Sequence, residues 1–442
     1  MKHLLYTLSL LLLVSCATKA PHNYDWQTDL HHRLCYDFNK SREDVQTYIR
    51  RYLPNVTDDQ LSAWEATGAL ECMQLDGQKR YFQNAAPNLF RIDSTCVAVK
   101  NAHDGDGLSN REIDDEVNIP EVVRETSAVK PGAYPLGAPK RMHVTYTLTV
   151  KADAVPAGQT VRCWLPFPRT DVPRQQGVKL LSTSQKNYRR APEHATHSTL
   201  YMEQKAVAGQ PTVFSETFEY TSYGAKFHLT PENCGTYNTK SKLYREYTAQ
   251  REKHIVFTPR LRELAARLTA GETNPYRKAE RIFRWVDHFP WASAREYSTI
   301  DNIPEYVLQN GHGDCGQVSL LFITLCRISG IPARFESGFM MHPHEQNLHD
   351  WAEIYFENIG WVPVDQSFGV CANAQTEDEA LFFLGGIDSW RMIVNRDFGH
   401  TLFPKKKYPR SETVDFQRGE VEWAGGNLYF DQWNYHLDVK YL

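Results

Sequence analysis

From Met142 the chain alternates: Val144, Tyr146, Leu148 and Val150 are apolar, and His143, Thr145, Thr147 and Thr149 between them are polar. That period of two predicts a half-buried strand. Val161 to Leu165, Lys179 to Thr183, Leu200 to Gln204 and Val213 to Tyr220 repeat the signal with turns between. Residues 140–250 are therefore expected to form an antiparallel β-sandwich. Near the end, Trp433, Tyr435, Leu437, Val439 and Tyr441 alternate as a closing strand.

Elsewhere the apolar spacing is helical. Leu261, Leu264, Ala265 and Leu268 predict one helix, and Ala279, Ile282, Phe283 and Val286 a second, parted by Asn274-Pro275. Val318, Leu321, Phe322, Leu325 and Ile328 predict a third, stopped by Gly330 and Pro332. Residues 16–92 are expected to be a small, mainly helical unit. Within it Ser41 and Thr57 sit at cap positions, and Asp76-Gly77 marks a hairpin turn. Residues 93–139, rich in Asp, Asn, Gly and Pro, are expected to connect domains. There Asp104-Gly105-Asp106-Gly107 with Glu112 has the look of a calcium loop, but Ala102 and Ile113 would fall on its first and last ligand positions, so a plain turn is the reading taken.

Length and composition change this picture modestly. At 442 residues, with 41% hydrophobic and 23% charged, the chain has apolar surface for two or three folded domains. A net charge of −4 gives no basic field to draw nucleic acid. The start of the chain is more telling. Lys2 and His3 precede the apolar run Leu4 to Val14, too short to span a bilayer, and then Ser15 and Cys16. Leu13-Val14-Ser15-Cys16 resembles the bacterial lipobox, which implies that residues 1–15 are a lipoprotein signal peptide and that Cys16 carries the lipid. An ordinary signal peptide cut near Ala17 or Ala20 is the alternative. Either implies an exported protein of the cell envelope, and the first a membrane anchor through lipid.

Nine cysteines need placing. Assigning Cys16 to lipid and Cys315 to chemistry leaves an odd number, and Cys326, inside an apolar helix, is the candidate for a free buried thiol.

Cys315 follows Gly313-Asp314 and opens the third helix, where unpaired N–H groups and the helix dipole favour a thiolate. A nucleophilic thiolate needs a base and a group that orients the base. Trp351 to Phe356 and Trp361 to Asp365 read as two adjacent strands; His349, just before the first, shares on alternation the face of Trp351, Glu353 and Tyr355, and Asp365 ends the second. A two-residue turn between them would put Asp365 on the wrong face. An odd-numbered loop centred near Asn358 pairs Trp351 with Asp365 and leaves His349 diagonal to the carboxylate, so that loop is the expectation.

Gly313-x-Cys315, Gly330-Ile331-Pro332-Ala333-Arg334, His349-x-Trp351-Ala352-Glu353 and Gly360-Trp361-x-Pro363-Val364-Asp365 together resemble the bacterial transglutaminase-like superfamily. The resemblance implies an α+β fold: a papain-like transglutaminase core at 251–442, preceded by the β-sandwich and the helical unit. It also implies Cys315 as nucleophile, His349 as base and acid, and Asp365 as orienter. The expected activity is a cysteine hydrolase of peptide or isopeptide bonds in a protein or peptidoglycan substrate, working through an acyl-enzyme. A cross-linking transglutaminase and a non-catalytic binding module are the alternatives. No metal or organic cofactor is required. Trp291, Tyr297 and Gln317 are candidates for oxyanion or substrate contacts. A metal site built from His342, His344 and His349 is a rival reading, less favoured because the required geometry is not visible in a His-x-His split by proline.

Overall fold

The computed structural model describes residues 25–104, 119–130, 133–372 and 374–442. Cys16 with the lipobox, and residues 105–112 of the Asp/Gly loop, lie outside them.

The N-terminal unit comprises helices α1 (Trp26–Asp37), α2 (Arg42–Ile49) and α3 (Asp58–Thr67), a hairpin of β1 (Cys72–Leu75) and β2 (Gln78–Tyr81), then α4 (Ala85–Ile92) and α5 (Ser94–Asp104). Ser41 and Thr57 cap α2 and α3, each in a reciprocal capping box, with Asp44 and Gln60 as partners. Asp76 and Gly77 both have positive φ, which gives the two-residue turn its twist. Phe38, Ile49, Leu61, Tyr81, Phe82 and Leu89 bury together as a separate small core. The stretch expected only to connect carries helices instead: α5, and α6 (Ile119–Ser127), whose Val122 packs into the main core. Its many Asp, Asn and Gly residues obscured two short amphipathic runs.

The sandwich strands are β3 (Leu136–Val150), β4 (Thr160–Pro166), β5 (Gln175–Thr183), β6 (Tyr188–Arg190), β7 (Thr199–Lys205) and β8 (Thr212–Lys226). Helices α7 (Lys242–Tyr247), α8 (Pro259–Leu268), α9 (Pro275–Val286), α10 (Ile303–Asn310) and α11 (Cys315–Ile328) follow. Then come β9 (Ala333–Met341), β10 (Gln346–Phe356), β11 (Gly360–Val364), the one-turn α12 (Glu377–Ala380), and β12 (Gly386–Ile387), β13 (Arg391–Arg396), β14 (Glu420–Trp423), β15 (Gly426–Leu428) and β16 (Trp433–Tyr441).

Among the described residues, strands β3 to β16 form three sheets besides the β1–β2 hairpin. One sandwich sheet runs β12-β8-β3-β16 with β5 also on β8, the other β15-β14-β4-β7-β6, and the third β11-β10-β9-β13. A division of the chain at residue 250 does not separate these sheets, because β12, β14, β15 and β16, which follow β9, β10 and β11 in the chain, pair in the sandwich sheets. The reason is edge pairing: β16 covers the free edge of β3 along its length, from Trp433 opposite Val150 to Tyr441 opposite Met142.

The third sheet is buried on both faces. Phe339, Met341, Met392 and Val394 join the sandwich core, and Phe335, Trp351, Ile354 and Val364 pack with Val318, Leu321, Phe322 and Leu325 of α11. Gly338 on β9 lacks a side chain for a steric reason: a Cβ there would lie 1.9 Å from the Met392 carbonyl oxygen.

The N-terminal unit is tied to the rest through polar contacts. Arg33 donates to the Ser411 carbonyl at 2.7 Å, and Asn88 exchanges two hydrogen bonds, both 2.9 Å, with the backbone of Ser293. Asp37 accepts from the Glu296 N–H at 3.0 Å, but its Oδ1 is buried with no hydrogen-bond partner. Burial, followed by the nearby Glu296 carboxylate, pushes Asp37 up to about 8. A carboxyl raised in the folded state costs stability as pH climbs from its unfolded value, about 3.9, toward its folded one. Thermal melts are therefore expected to show the midpoint falling from roughly pH 5 to pH 8, and Asp37→Asn to flatten that fall. An unchanged slope in the variant would remove Asp37 as its source.

Candidate active site

Asp314 caps α11, accepting at 3.0 Å from Gln317 N–H, while Gln317 Oε1 accepts from Asp314 N–H at 3.2 Å. This capping box sets Cys315 at the first helical position. Gly316 is obligatory there, because a Cβ would meet the Tyr297 hydroxyl at 2.2 Å and Asp350 Oδ2 at 2.6 Å.

Between β10 and β11 the register pairs Ala352 with Val364 and Phe356 with Gly360 across three loop residues, Glu357, Asn358 and Ile359. The odd-numbered loop centred on Asn358 is thus present. It delivers His349 to Asp365, with Nε2 to Oδ2 at 2.7 Å. Arg391 Nη1 donates to the same oxygen at 2.8 Å, and the N–H groups of Ser367 and Phe368 donate to Oδ1 at 3.2 and 3.0 Å. Burial alone would raise this carboxyl, but the His349 and Arg391 charges outweigh it and hold Asp365 down at about 2. The other side of Arg391 is occupied by Asp388, which also pairs with His342 at 3.3 Å. The Phe368 ring lies beneath both His349 and the Arg391 guanidinium.

Cys315 departs from expectation. Its side chain is 9% exposed, and its thiol donates to Asp350 Oδ2 at 3.4 Å; no Cys315–His349 hydrogen bond occurs among the described residues. Burial, then the Asp350 and Asp314 carboxylates, push the thiol well above its usual range. The expectation that the helix dipole yields a thiolate is corrected here: the dipole acts over one turn, and two acidic neighbours in a dry setting exceed it. Asp350 is itself raised, by burial and by Asp415 and Asp314.

The remaining sequence candidates separate. Tyr297 donates to Asp314 Oδ1 at 2.6 Å and lines the first turn of α11. Gln317 has its Nε2 buried without a hydrogen-bond partner, a donor left for another group. Trp291 is 45% exposed and lies under the Arg91 guanidinium at 4.7 Å, held by a parallel bridge between its backbone and Gly313.

Sequence reasoning missed three residues. Asp350 is the unassigned position of His349-x-Trp351, Arg391 follows far downstream, and Gln417 donates at 2.9 Å to the carbonyls of Gly338 and His349 and to Asp350 Oδ1. Only Asp350 had a signal, an acid beside His349. The other motif charges are structural: Arg334 donates to Glu353 at 2.7 Å across directly paired strands.

Residues 262–366 match the Transglutaminase-like superfamily. An uncharacterized protein of Haemophilus influenzae is 29% identical over 171 residues, 33% of this chain and 44% of that one. The uncharacterized protein YebA of Bacillus subtilis is 26% identical over 26% of this chain and 18% of its own. A protein-glutamine gamma-glutamyltransferase of Pseudomonas aeruginosa is 24% identical over 25% of this chain and 19% of its own. The chain thus spans less than half the length of these relatives. Among solved structures, a protein of Cytophaga hutchinsonii provisionally described as a cysteine protease has a TM-score of 0.47 at 14% identity, covering 70% of this chain and 93% of its own. The periplasmic domain of TgpA from Pseudomonas aeruginosa has a TM-score of 0.28 at 16% identity, covering 57% of this chain and 91% of its own. The chain carries a transglutaminase-like domain, built on α11, β10 and β11.

Replacing Asp350 by Asn removes one of the charges that oppose ionisation of Cys315. The pH profile of Cys315 alkylation, read by peptide mass, is expected to move to lower pH in Asp350→Asn. A profile that stays in place would show that Asp350 does not govern the thiol.

Proposed function

We propose that the protein is a cysteine hydrolase of the bacterial cell envelope that cleaves peptide or isopeptide bonds through an acyl-enzyme. The observation that carries this reading is the buried His349–Asp365 pair at 2.7 Å, braced by Arg391, beside a helix that begins at a cysteine. A carboxylate fixed on Nε2 orients the imidazole and leaves Nδ1 to exchange the proton.

In the first half-reaction Cys315 leaves Asp350 by rotation about its side chain, and its proton passes to His349. The sulfur attacks the carbonyl carbon, and the oxygen becomes negative against the N–H of Cys315 and the free Nε2 donor of Gln317. The C–N bond breaks as His349 returns the proton to the departing amine. Water then gives a proton to His349 and its hydroxyl to the acyl carbon, the C–S bond breaks, and the thiol is restored. Asp365, held ionised by Arg391, stabilises the imidazolium formed in each half.

Water is taken as the acceptor, because an amine displaces it only where a site binds that amine and excludes solvent. The gamma-glutamyltransferase among the relatives keeps transfer to an amine as the competing outcome. The envelope location rests on the leader-like start of the chain, with Cys16 as the lipid-bearing residue.

The test is incubation of the purified chain with peptides and peptidoglycan fragments, followed by product mass. Hydrolysis adds one water per bond cut; transfer gives an adduct with added amine. Cys315→Ala and His349→Ala are expected to abolish turnover, and Asp365→Asn to lower it about 10⁴-fold, the scale set by loss of the orienting carboxylate in serine proteases. Undiminished turnover by Cys315→Ser or by His349→Ala would end this reading.

A further inference from the structure

The N-terminal unit holds a second cluster of reactive side chains, remote in role from the His349–Asp365 pair. His31 and Cys35 stand one turn apart on one face of α1, and the tip of the β1–β2 hairpin brings Asp76 against them. His31 Nε2 lies 2.9 and 3.1 Å from the two Asp76 carboxylate oxygens. The Cys35 sulfur lies 3.7 Å from His31 Nδ1 and 3.8 Å from Nε2. One ligand atom from each of the three residues falls within 4.8 Å of the others.

These separations can be compared with those a metal would impose. With bonds of about 2.0 Å to nitrogen and oxygen and about 2.3 Å to sulfur, tetrahedral angles place N and O about 3.3 Å apart and N and S about 3.5 Å apart. The observed 2.9–3.1 Å and 3.8 Å lie within a few tenths of an ångström of these values, but the sulfur is equally close to Nδ1, at 3.7 Å, where a shared ion would hold it about 5 Å away, so binding requires His31 and Cys35 to turn about their side-chain bonds, which their place at the surface allows. An ion pair between His31 and Asp76, with Asp76 serving the turn, would account for two of the three groups. It leaves unexplained a half-buried thiol directly beneath the imidazole.

We propose that His31, Cys35 and Asp76 bind a divalent ion of the zinc class, with water or an outside ligand completing a tetrahedron. One thiolate, one imidazole and one carboxylate are the three ligand types zinc accepts, whereas magnesium and calcium ask for oxygen throughout. The His31 and Asp76 side chains are 51% and 68% exposed, so an ion can enter from solvent and the fourth position stays open. Binding releases the thiol proton and makes affinity fall at low pH. It also fastens α1 to the hairpin, and α1 is the helix whose Arg33 and Asp37 reach Ser411 and Glu296.

The test uses the full metal-free chain titrated with Co²⁺. The expected result is one equivalent bound, with the strong visible bands of tetrahedral cobalt and a near-ultraviolet thiolate-to-metal band, both displaced by Zn²⁺. Cys35→Ser should remove the thiolate band, and His31→Ala and Asp76→Asn should each weaken binding at least tenfold. Cys315→Ala should leave the spectrum unchanged. Saturating Zn²⁺ should also shield Cys35 from alkylation, read by peptide mass, while Cys72 labels as before. Octahedral cobalt only, a thiolate band that survives in Cys35→Ser, or unprotected Cys35 would each overturn the proposal. None of these readouts involves turnover, so the result is independent of the hydrolase reading.

Discussion

The arrangement around His349 depends on one carboxylate. Asp365 is fully buried between an imidazole and a guanidinium, and two backbone N–H groups take its second oxygen. Desolvating a carboxylate costs several kcal/mol, and only a full set of partners offsets it. Removing one partner from such a buried set typically costs about 3–5 kcal/mol, because a charge is then left uncompensated. The same bonds that make Asp365 tolerable inside the protein fix the imidazole of His349. Under the proposed mechanism, chemistry and folding would select the same contacts at this point.

Around that clamp the third sheet acts as a wall between two cores. β10 is buried on both faces, Trp351 on one and Ala352 and Ile354 on the other, so it cannot slip by a residue without exchanging the two sets. The register of the β10–β11 hairpin is thereby fixed twice, by its three-residue loop and by its packing. Gln417 adds a third restraint, gripping the carbonyl of His349 and the carboxyl of Asp350 from a segment far along the chain. That segment is in turn held by Arg33 of α1 through the Ser411 carbonyl.

What could be read from the sequence was what is local. The alternation of β3, the periodicity of α9 and α11, the caps at Ser41 and Thr57, and the Asp76-Gly77 turn depend on residues a few places apart. The odd-numbered loop was also legible, because the side on which Asp365 falls is decided by parity alone. Arg391 and Gln417 were not, since no spacing rule joins them to residues so far upstream. The state of the thiol was misjudged for a related reason. Helix position is visible in sequence, whereas Asp350 matters only once burial removes the water that would screen it. The helices within 93–139 were hidden by composition, which averages over runs of eight or ten residues.

The return of β14 and β16 to strands laid down much earlier bears on the order of assembly. Until the final strands arrive, β3 and β4 keep open edges, and the stretch that supplies Gln417 has nothing to anchor it on its far side. Pairings across such long sequence separations form late, since the chain must first give up the entropy of closing a large loop. A ribosome-bound or partly threaded polypeptide would thus hold its cysteine in an unfinished setting. The surroundings of Cys315 would be finished only once β14 and β16 have paired, a timing written into topology.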